Sequence, residues 1–195
     1  MKLLYLDCET TGIDPFKNGL IQVAGLLEID GEVKEEFNFK CRPFPGKLIS
    51  EDALKANGVT LEELKVLPDP KEVYQKLLAI FDKYVDRYAK EDKFYQVGQN
   101  TKFDYDFLSQ WFKDNGNKYF YAYVRYHLID LIQATALFHV AGKMNLVNMK
   151  LETVAQFFRI DFKAHDALED IKTARKIFYR YVELMKQIDV ERIKS

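Results

Sequence analysis

The chain has 195 residues, 29 Lys and Arg against 30 Asp and Glu, and 48% apolar residues, including 15 Phe, 12 Tyr and 1 Trp. A chain of this length can bury a core without disulfide or metal, and its apolar content excludes intrinsic disorder. Its apolar runs, such as 23–27, are too short for a membrane helix, and a formal charge of −1 argues against a strongly basic nucleic-acid binder.

Residues 3–6 form a short apolar run that ends at an acid, as a buried strand would. Residues 20–29 read as a longer strand closed by Asp30-Gly31. The alternation Val33, Glu35, Phe37, Phe39, Cys41 then reads as a third strand, ended by Pro43 and Pro45. Short helices are expected over 50–66, with Gly58 as a stop and Thr60 as a new N-cap. From Pro70, the residues Val73, Leu77, Ile80, Phe81, Tyr84 and Tyr88 keep helical spacing.

Residues 94–97 read as a compact strand. It leads through Gly98 into a helix carrying Phe103, Phe107, Leu108 and Trp111, stopped by Asp114-Asn115-Gly116. The aromatic and β-branched stretch 119–129 predicts a strand with His127 inside it. Helices follow over 130–140, carrying His139, over 151–158, and from about 166 to 188. On the last of these, Leu168, Ile171, Phe178, Val182 and Met185 share the expected core face. Three strands in series, then strands alternating with helices, imply one α/β domain with a mixed sheet. Two cysteines, Cys8 and Cys41, have no metal-ligand spacing, and Asp7 falls where a signal peptide would still be apolar, so a reducing cytoplasm is expected.

Some acids sit where solvated acids do not belong. Asp7 and Glu9, two residues apart at the end of an apolar run, project from one strand face about 7 Å apart, while Cys8 points the other way as a small core residue. Two acids there are costly unless a cation meets them, and strand carboxyl ends are where α/β sheets place ligands. The alternative is a surface pair capping the turn Thr10-Thr11-Gly12. Asp104 lies among Phe103, Phe107 and Trp111, where a solvated flank is the plainer reading; Asp106 fits that description too. Asp170 begins the stripe Asp170, Ala174, Ile177, Tyr181 beside the core face of the last helix, and small Ala174 leaves room to approach the sheet. His165 precedes that helix and is a plausible proton acceptor or merely a polar helix-start residue. His127 and His139 read as structural. Together the acids form an oxygen-only donor set, which selects Mg²⁺ or Mn²⁺; two such ions can hold a phosphodiester between them.

These residues carry a family likeness. Asp7-Cys8-Glu9-Thr10-Thr11-Gly12 resembles the first motif of the DnaQ-like exonucleases, the histidine subclass of the DEDD superfamily. Residues 98–108, with Asn100, Phe103-Asp104 and Phe107-Leu108, resemble the second, and residues 164–170, with His165 five before Asp170, resemble the third. The stretch 49–64 and the acid Asp130 also sit where relatives have a matching connection and a helix-opening acid. The likeness covers about residues 2–185. It implies an RNase H-like fold with a five-stranded mixed sheet, one exonuclease domain over 1–188, and a short tail at 189–195. It implies removal of nucleotides from 3′ ends as nucleoside 5′-monophosphates. Asp7, Glu9, Asp104 and Asp170 would hold two metal ions and His165 would be the general base. Thr10, Ile13, Asn100 and Phe103 would shape the terminal-nucleotide site. Gln99 departs from the family pattern, where histidine is common; an amide can still donate a hydrogen bond.

The expected partner is nucleic acid with a free 3′ end. The first motif looks more like that of bacterial replicase proofreading subunits than of oligoribonucleases, which favours single-stranded DNA over RNA. A free-standing nuclease is expected rather than one tethered to a DNA polymerase. Lys102 is a candidate phosphate contact, and the seven Lys or Arg among the last 25 residues either guide a strand or form a solvated face. An exoribonuclease, a non-catalytic binding module and an internal-cutting endonuclease are the rival readings. Setting the four metal-site acids aside leaves 26 acids against 29 basic residues, so near-neutrality does not exclude a nucleic-acid substrate.

Overall fold

Alternation and turn chemistry build the first half of the sheet. In the computed structural model, which describes residues 1–162 and 167–188, β1 (Lys2–Thr10), β2 (Leu20–Ile29) and β3 (Glu32–Lys40) form an antiparallel meander. Asp30 and Gly31, both at positive φ (52° and 87°), make the tight turn whose twist suits the flanking strands. β1 does not stop at the first acid; it continues through the whole Asp-Cys-Glu-Thr motif because β2 pairs with it along its full length.

Three helices then lead back to the sheet: α1 (Glu51–Asn57), α2 (Leu61–Val66) and α3 (Pro70–Tyr84). Gly58, at φ 62°, ends α1 in the left-handed region, and Thr60 with Glu63 forms a reciprocal capping box on α2. Asp69 caps α3 with Pro70 in its first turn, but α3 ends at Tyr84 and leaves Tyr88 on the surface. β4 (Tyr95–Gly98) runs parallel to β1 and feeds α4 (Thr101–Asp114). β5 is only Ile129–Asp130, parallel to β4, and the sheet order is β3-β2-β1-β4-β5.

The expected strand over 119–129 is therefore mostly absent. A 3-10 turn at Phe120–Ala122 buries Phe120, Tyr123 and Val124 together in the core, which extended alternation would have split between two faces. His127 lies in an exposed bend instead of a strand. After β5 come α5 (Leu131–Val140), carrying His139 as expected, α6 (Leu151–Phe157) and α7 (Ala167–Lys186).

The sheet separates two cores. On one face Leu4, Leu6 and Cys8 pack with Leu77 and Phe81 of α3 and with Leu108 and Phe112 of α4. On the other, Leu3 and Tyr5 pack with Leu131, Val154 and the α7 residues Ile171, Ala174, Ile177 and Tyr181. On α7 the expected Ile171 is buried and Phe178 packs against the core, but the stripe beginning at Asp170 supplies the buried Ala174, Ile177 and Tyr181, while Met185 is exposed. Thr173 and Ala174, being small, let the helix lie close against β1, β2 and β4. Among the described residues no helix is long and apolar enough to cross a membrane.

Candidate active site

The two faces of β1 sort its motif. Leu3 and Tyr5 belong to the α7-side core, so Asp7 and Glu9, continuing the same alternation, face that side, while Cys8 is buried with the α3–α4 core. The β1–β2 register slips between Glu9 and Thr10, a bulge that ends regular pairing as the strand reaches its acids. The following turn is tied down tightly. Thr11 bonds through its N–H to Gly19, receives the Gly19 N–H on its hydroxyl, and donates that hydroxyl to the Leu48 carbonyl at 2.6 Å. Asn57 donates to the Thr10 carbonyl at 2.9 Å. Gly12 lies so close to Asn18 that a Cβ would meet its side chain at 2.4 Å, so the position needs glycine for space.

Asp104 is buried, only 3% exposed, which corrects the solvated-flank reading. It sits four residues before Leu108 on the core stripe of α4, one turn from the helix start, and accepts the Cys8 N–H at 2.9 Å. That bond fixes its carboxylate at the end of β1. Asp130 holds the start of α4 in place. Its Oδ1 accepts from the Asn100 and Ile132 N–H groups and its Oδ2 from the Thr101 N–H, so one side chain caps α4 and α5 together. Gln99 donates to the Met149 carbonyl at 3.3 Å, tying the β4–α4 turn to the segment before α6. Asp170, in the first turn of α7, meets Asp7 across a cavity of about 250 Å³ also lined by Gly98, Gln99 and Ala174.

Burial and mutual repulsion dominate the electrostatics. Desolvation, then Glu9 and Asp170, push the Asp7 carboxyl up to about 7. Asp104 is raised well above the usual carboxylate range by burial and then by Asp7, against the pull of the Cys8 N–H. Burial raises Glu9, opposed by Lys40. Burial also drives the Cys8 thiol far from ionisation, so Cys8 is no nucleophile. Carboxylates forced together with no basic partner for Asp7 or Asp104 among the described residues fit a hard divalent cation, whose charge would reverse the carboxyl shifts. Among the described residues no three His, Cys, Asp or Glu are gathered as tightly as a bound ion requires, which like charges resist.

The remaining expected residues are distributed around this end of the sheet. Thr10 is buried and donates its hydroxyl to the Gly12 carbonyl at 2.7 Å. Ile13 stands 88% exposed on the turn beyond it. Asn100 adopts the left-handed conformation (φ 56°) at the start of α4, and Phe103, half-buried, lies 4.7 Å from the Phe107 ring. Beside Glu9 a second cavity of about 380 Å³ is walled by Gln22, Lys40, Asn57, Val59 and Leu64. Lys102 is exposed and pairs with Asp106 one turn on. Three of the C-terminal cations are engaged as well: Lys172 with Glu36 and Glu169, Arg175 with Glu28, and Arg180 with Glu183. His165 and the tail at 189–195 lie outside the described residues.

Comparison with known proteins agrees with this arrangement. The sequence profile of the Exonuclease (RNase T) family matches residues 4–178. A "DNA polymerase III PolC-type" protein of Thermotoga maritima is 27% identical over 189 residues, covering 96% of this chain and 12% of that protein. The chain thus spans about an eighth of the curated relatives it matches. E. coli Exonuclease I in complex with a dA16 oligonucleotide superposes with a TM-score of 0.75 at 20% identity, over 95% of this chain and 41% of that one. The zinc-ion-bound form of its single-stranded DNA complex superposes at 0.74. These likenesses show the expected RNase H-like architecture. The chain belongs to the Exonuclease family of DnaQ-like, histidine-subclass nucleases.

Proposed function

We infer that the chain is a divalent-metal-dependent 3′–5′ exonuclease that removes nucleoside 5′-monophosphates from single-stranded DNA. The observation that carries this reading is Asp7 at the carboxyl end of β1, facing Asp170 of α7 across a cavity and close enough to Asp104 of α4 to raise it, while Glu9 and Asp170 raise Asp7 in turn. A cost of that kind at a concave site points to function. Asp7, Glu9, Asp104 and Asp170 would hold two Mg²⁺ or Mn²⁺ ions, which when bound polarise the scissile phosphate and the attacking water. His165 would take the water's proton. Thr10 would offer backbone contacts to the terminal sugar. Ile13, Asn100 and Phe103 would bound the terminal nucleotide.

The identity of the relatives supports DNA as substrate: one is a DNA polymerase and another is solved with DNA oligonucleotides. An association with a DNA polymerase is the corresponding proposal for partners. The test is a digestion panel of matched DNA and RNA oligomers, single- and double-stranded, with the 3′ end free or blocked, in Mg²⁺ or Mn²⁺. Mononucleotide release from the free 3′ end of single-stranded DNA is expected. Release only from RNA would make the chain an exoribonuclease. Cleavage of a circular strand would make it an endonuclease, and no cleavage at all a binding module.

A further inference from the structure

The opposite end of the sheet carries a surface of different chemistry. Residues 86–94 precede β4, and residues 117–127 precede β5; the bridge between Phe94 and Val124 and the ion pair of Lys2 with Asp92 put both segments at the amino-terminal ends of β1 and β4. Tyr88 (84% exposed), Tyr119 (50%), Tyr121 (53%) and Tyr126 (73%) all present their rings there. Cations lie over three of those rings: Arg87 over Tyr88 at 5.1 Å, Lys93 over Tyr121 at 5.6 Å and Lys118 over Tyr119 at 5.6 Å. Tyr121 is the shared wall of two cavities, of about 470 and 290 Å³, that run side by side. Residues 115–127 contain no acid. The acid in the cavity lining, Glu91, is held by Arg125 at 3.1 Å, and Asp86 accepts the Tyr88 N–H. Among the described residues Arg87, Lys90, Lys93 and Lys118 are in no ion pair.

We propose that this tyrosine-and-cation surface, remote from the carboxylate end, binds single-stranded nucleic acid by stacking bases on Tyr88, Tyr119 and Tyr121 while Arg87, Lys93 and Lys118 meet the phosphates. Exposed rings alternating with free cations are the recognition chemistry of an unpaired strand, because every base has a stacking face and every linkage a negative charge. The proposal extends the nuclease reading, since the strand bound here would be the body of a chain whose 3′ end lies in the carboxylate site. Lys2, held beside Asp92 at the amino-terminal end of β1, and Asp7 are five residues apart along that strand, about 17 Å, which at the roughly 3.4 Å spacing of stacked nucleotides is about five nucleotides. A strand shorter than that reaches only one of the two sites.

The test is fluorescence anisotropy of the full chain with labelled oligothymidylates of about 20 and about 4 nucleotides, in EDTA so that nothing is cut. Tyr88→Ala/Tyr121→Ala is expected to weaken binding of the long strand about tenfold or more. Lys93→Glu/Lys118→Glu is expected to weaken it and to lower the salt slope by about one for each phosphate no longer neutralised. Neither pair should alter the cleavage rate of the short strand in Mg²⁺. Unchanged affinity of the long strand in both variants overturns the proposal. So does tighter binding of a poly-glutamate peptide than of the oligothymidylate, which would assign the surface to an acidic protein. Weakened long-strand binding by these variants, in a chain that releases no nucleotide, would leave this surface standing and remove the nuclease reading instead.

Discussion

Among the described residues Glu28 and the pair Asp7 and Asp104 are acids drawn into the interior, and the fold treats them in opposite ways. Glu28, 1% exposed near the end of β2, meets the Arg175 guanidinium at 2.5 Å and the Tyr179 hydroxyl. Asp7, on the neighbouring strand, meets Glu9 and Asp170, and Asp104 of α4 meets Asp7, with the Cys8 N–H as the compensating donor to Asp104. The first arrangement satisfies a buried charge by a cation from within the chain. The second has no such cation among the described residues. Burial alone therefore does not mark a functional acid; burial without a basic partner does.

The difference can be tested from both sides. The largest effect is expected at the unpartnered acids. Asp104→Asn keeps an oxygen to accept the Cys8 N–H, so the fold should survive, but losing a metal-binding charge worth several kcal/mol should cut nucleotide release about 10³-fold or more. Single-turnover digestion with a melting curve on the same preparation checks both halves; wild-type turnover would remove Asp104 from the site. His165→Ala should retain metal binding and lose about 10²-fold or more of turnover, the loss of a general base. Titration of Mn²⁺ alongside the rate separates that outcome from a missing ligand.

At the partnered acid the effect should fall on stability and not on activity per folded molecule. Arg175→Met strands Glu28 without its cation and should cost about 3 kcal/mol, the lower end for a broken buried pair because Arg175 is partly open to water. Urea denaturation reads this directly, and a cost near zero would abolish the contrast. The smallest effect has the opposite sign. Because the Asp7 carboxyl is raised to about 7 when folded, above its ordinary 3.8, its contribution to stability is complete below that ordinary value and lost as pH rises through the folded one. In EDTA, Asp7→Asn should then raise Tm at pH 8 by about 2–4 °C for each kcal/mol of repulsion removed. The gain should vanish near pH 4, and Mg²⁺ should abolish it at pH 8 by stabilising the native chain more than the variant. A Tm gain that persists at pH 4 would mean that Asp7 is not under electrostatic stress.

The sequence reading and the structure agree most closely where a local rule fixes the answer. β2 is bounded at Leu20 and Ile29 as the β-prone run and the Asp30-Gly31 turn imply, and Gly58, Thr60 and Pro70 begin and end helices at the expected residues. The reading fails where partners distant along the chain decide. Over 119–129, aromatic and β-branched residues suggest extension, yet packing of Phe120 and Tyr123 with Phe81 and Phe112 curls the backbone. On α7 the expected face is buried at Ile171 and packed at Phe178, but Ala174, Ile177 and Tyr181 beside it carry the rest of the core contact and Met185 is exposed. Asp104 carries a legible signal: four residues before Leu108 and seven before Trp111, it shares their stripe.

Residue order by itself determined the acids, their motif spacing and the alternation that turns Asp7 and Glu9 to one side, because strand and helix periods are local properties of the backbone. It also carried the family likeness. Only the tertiary structure decided that Glu28 has a basic partner while Asp7 and Asp104 have none among the described residues, since Arg175 is 147 residues from Glu28 along the chain and beside it in space. The double cap by Asp130 and the clamp of Asn57 on Thr10 belong to the same class. Charge compensation depends on which groups folding brings within a few ångströms, and sequence separation says nothing of that distance.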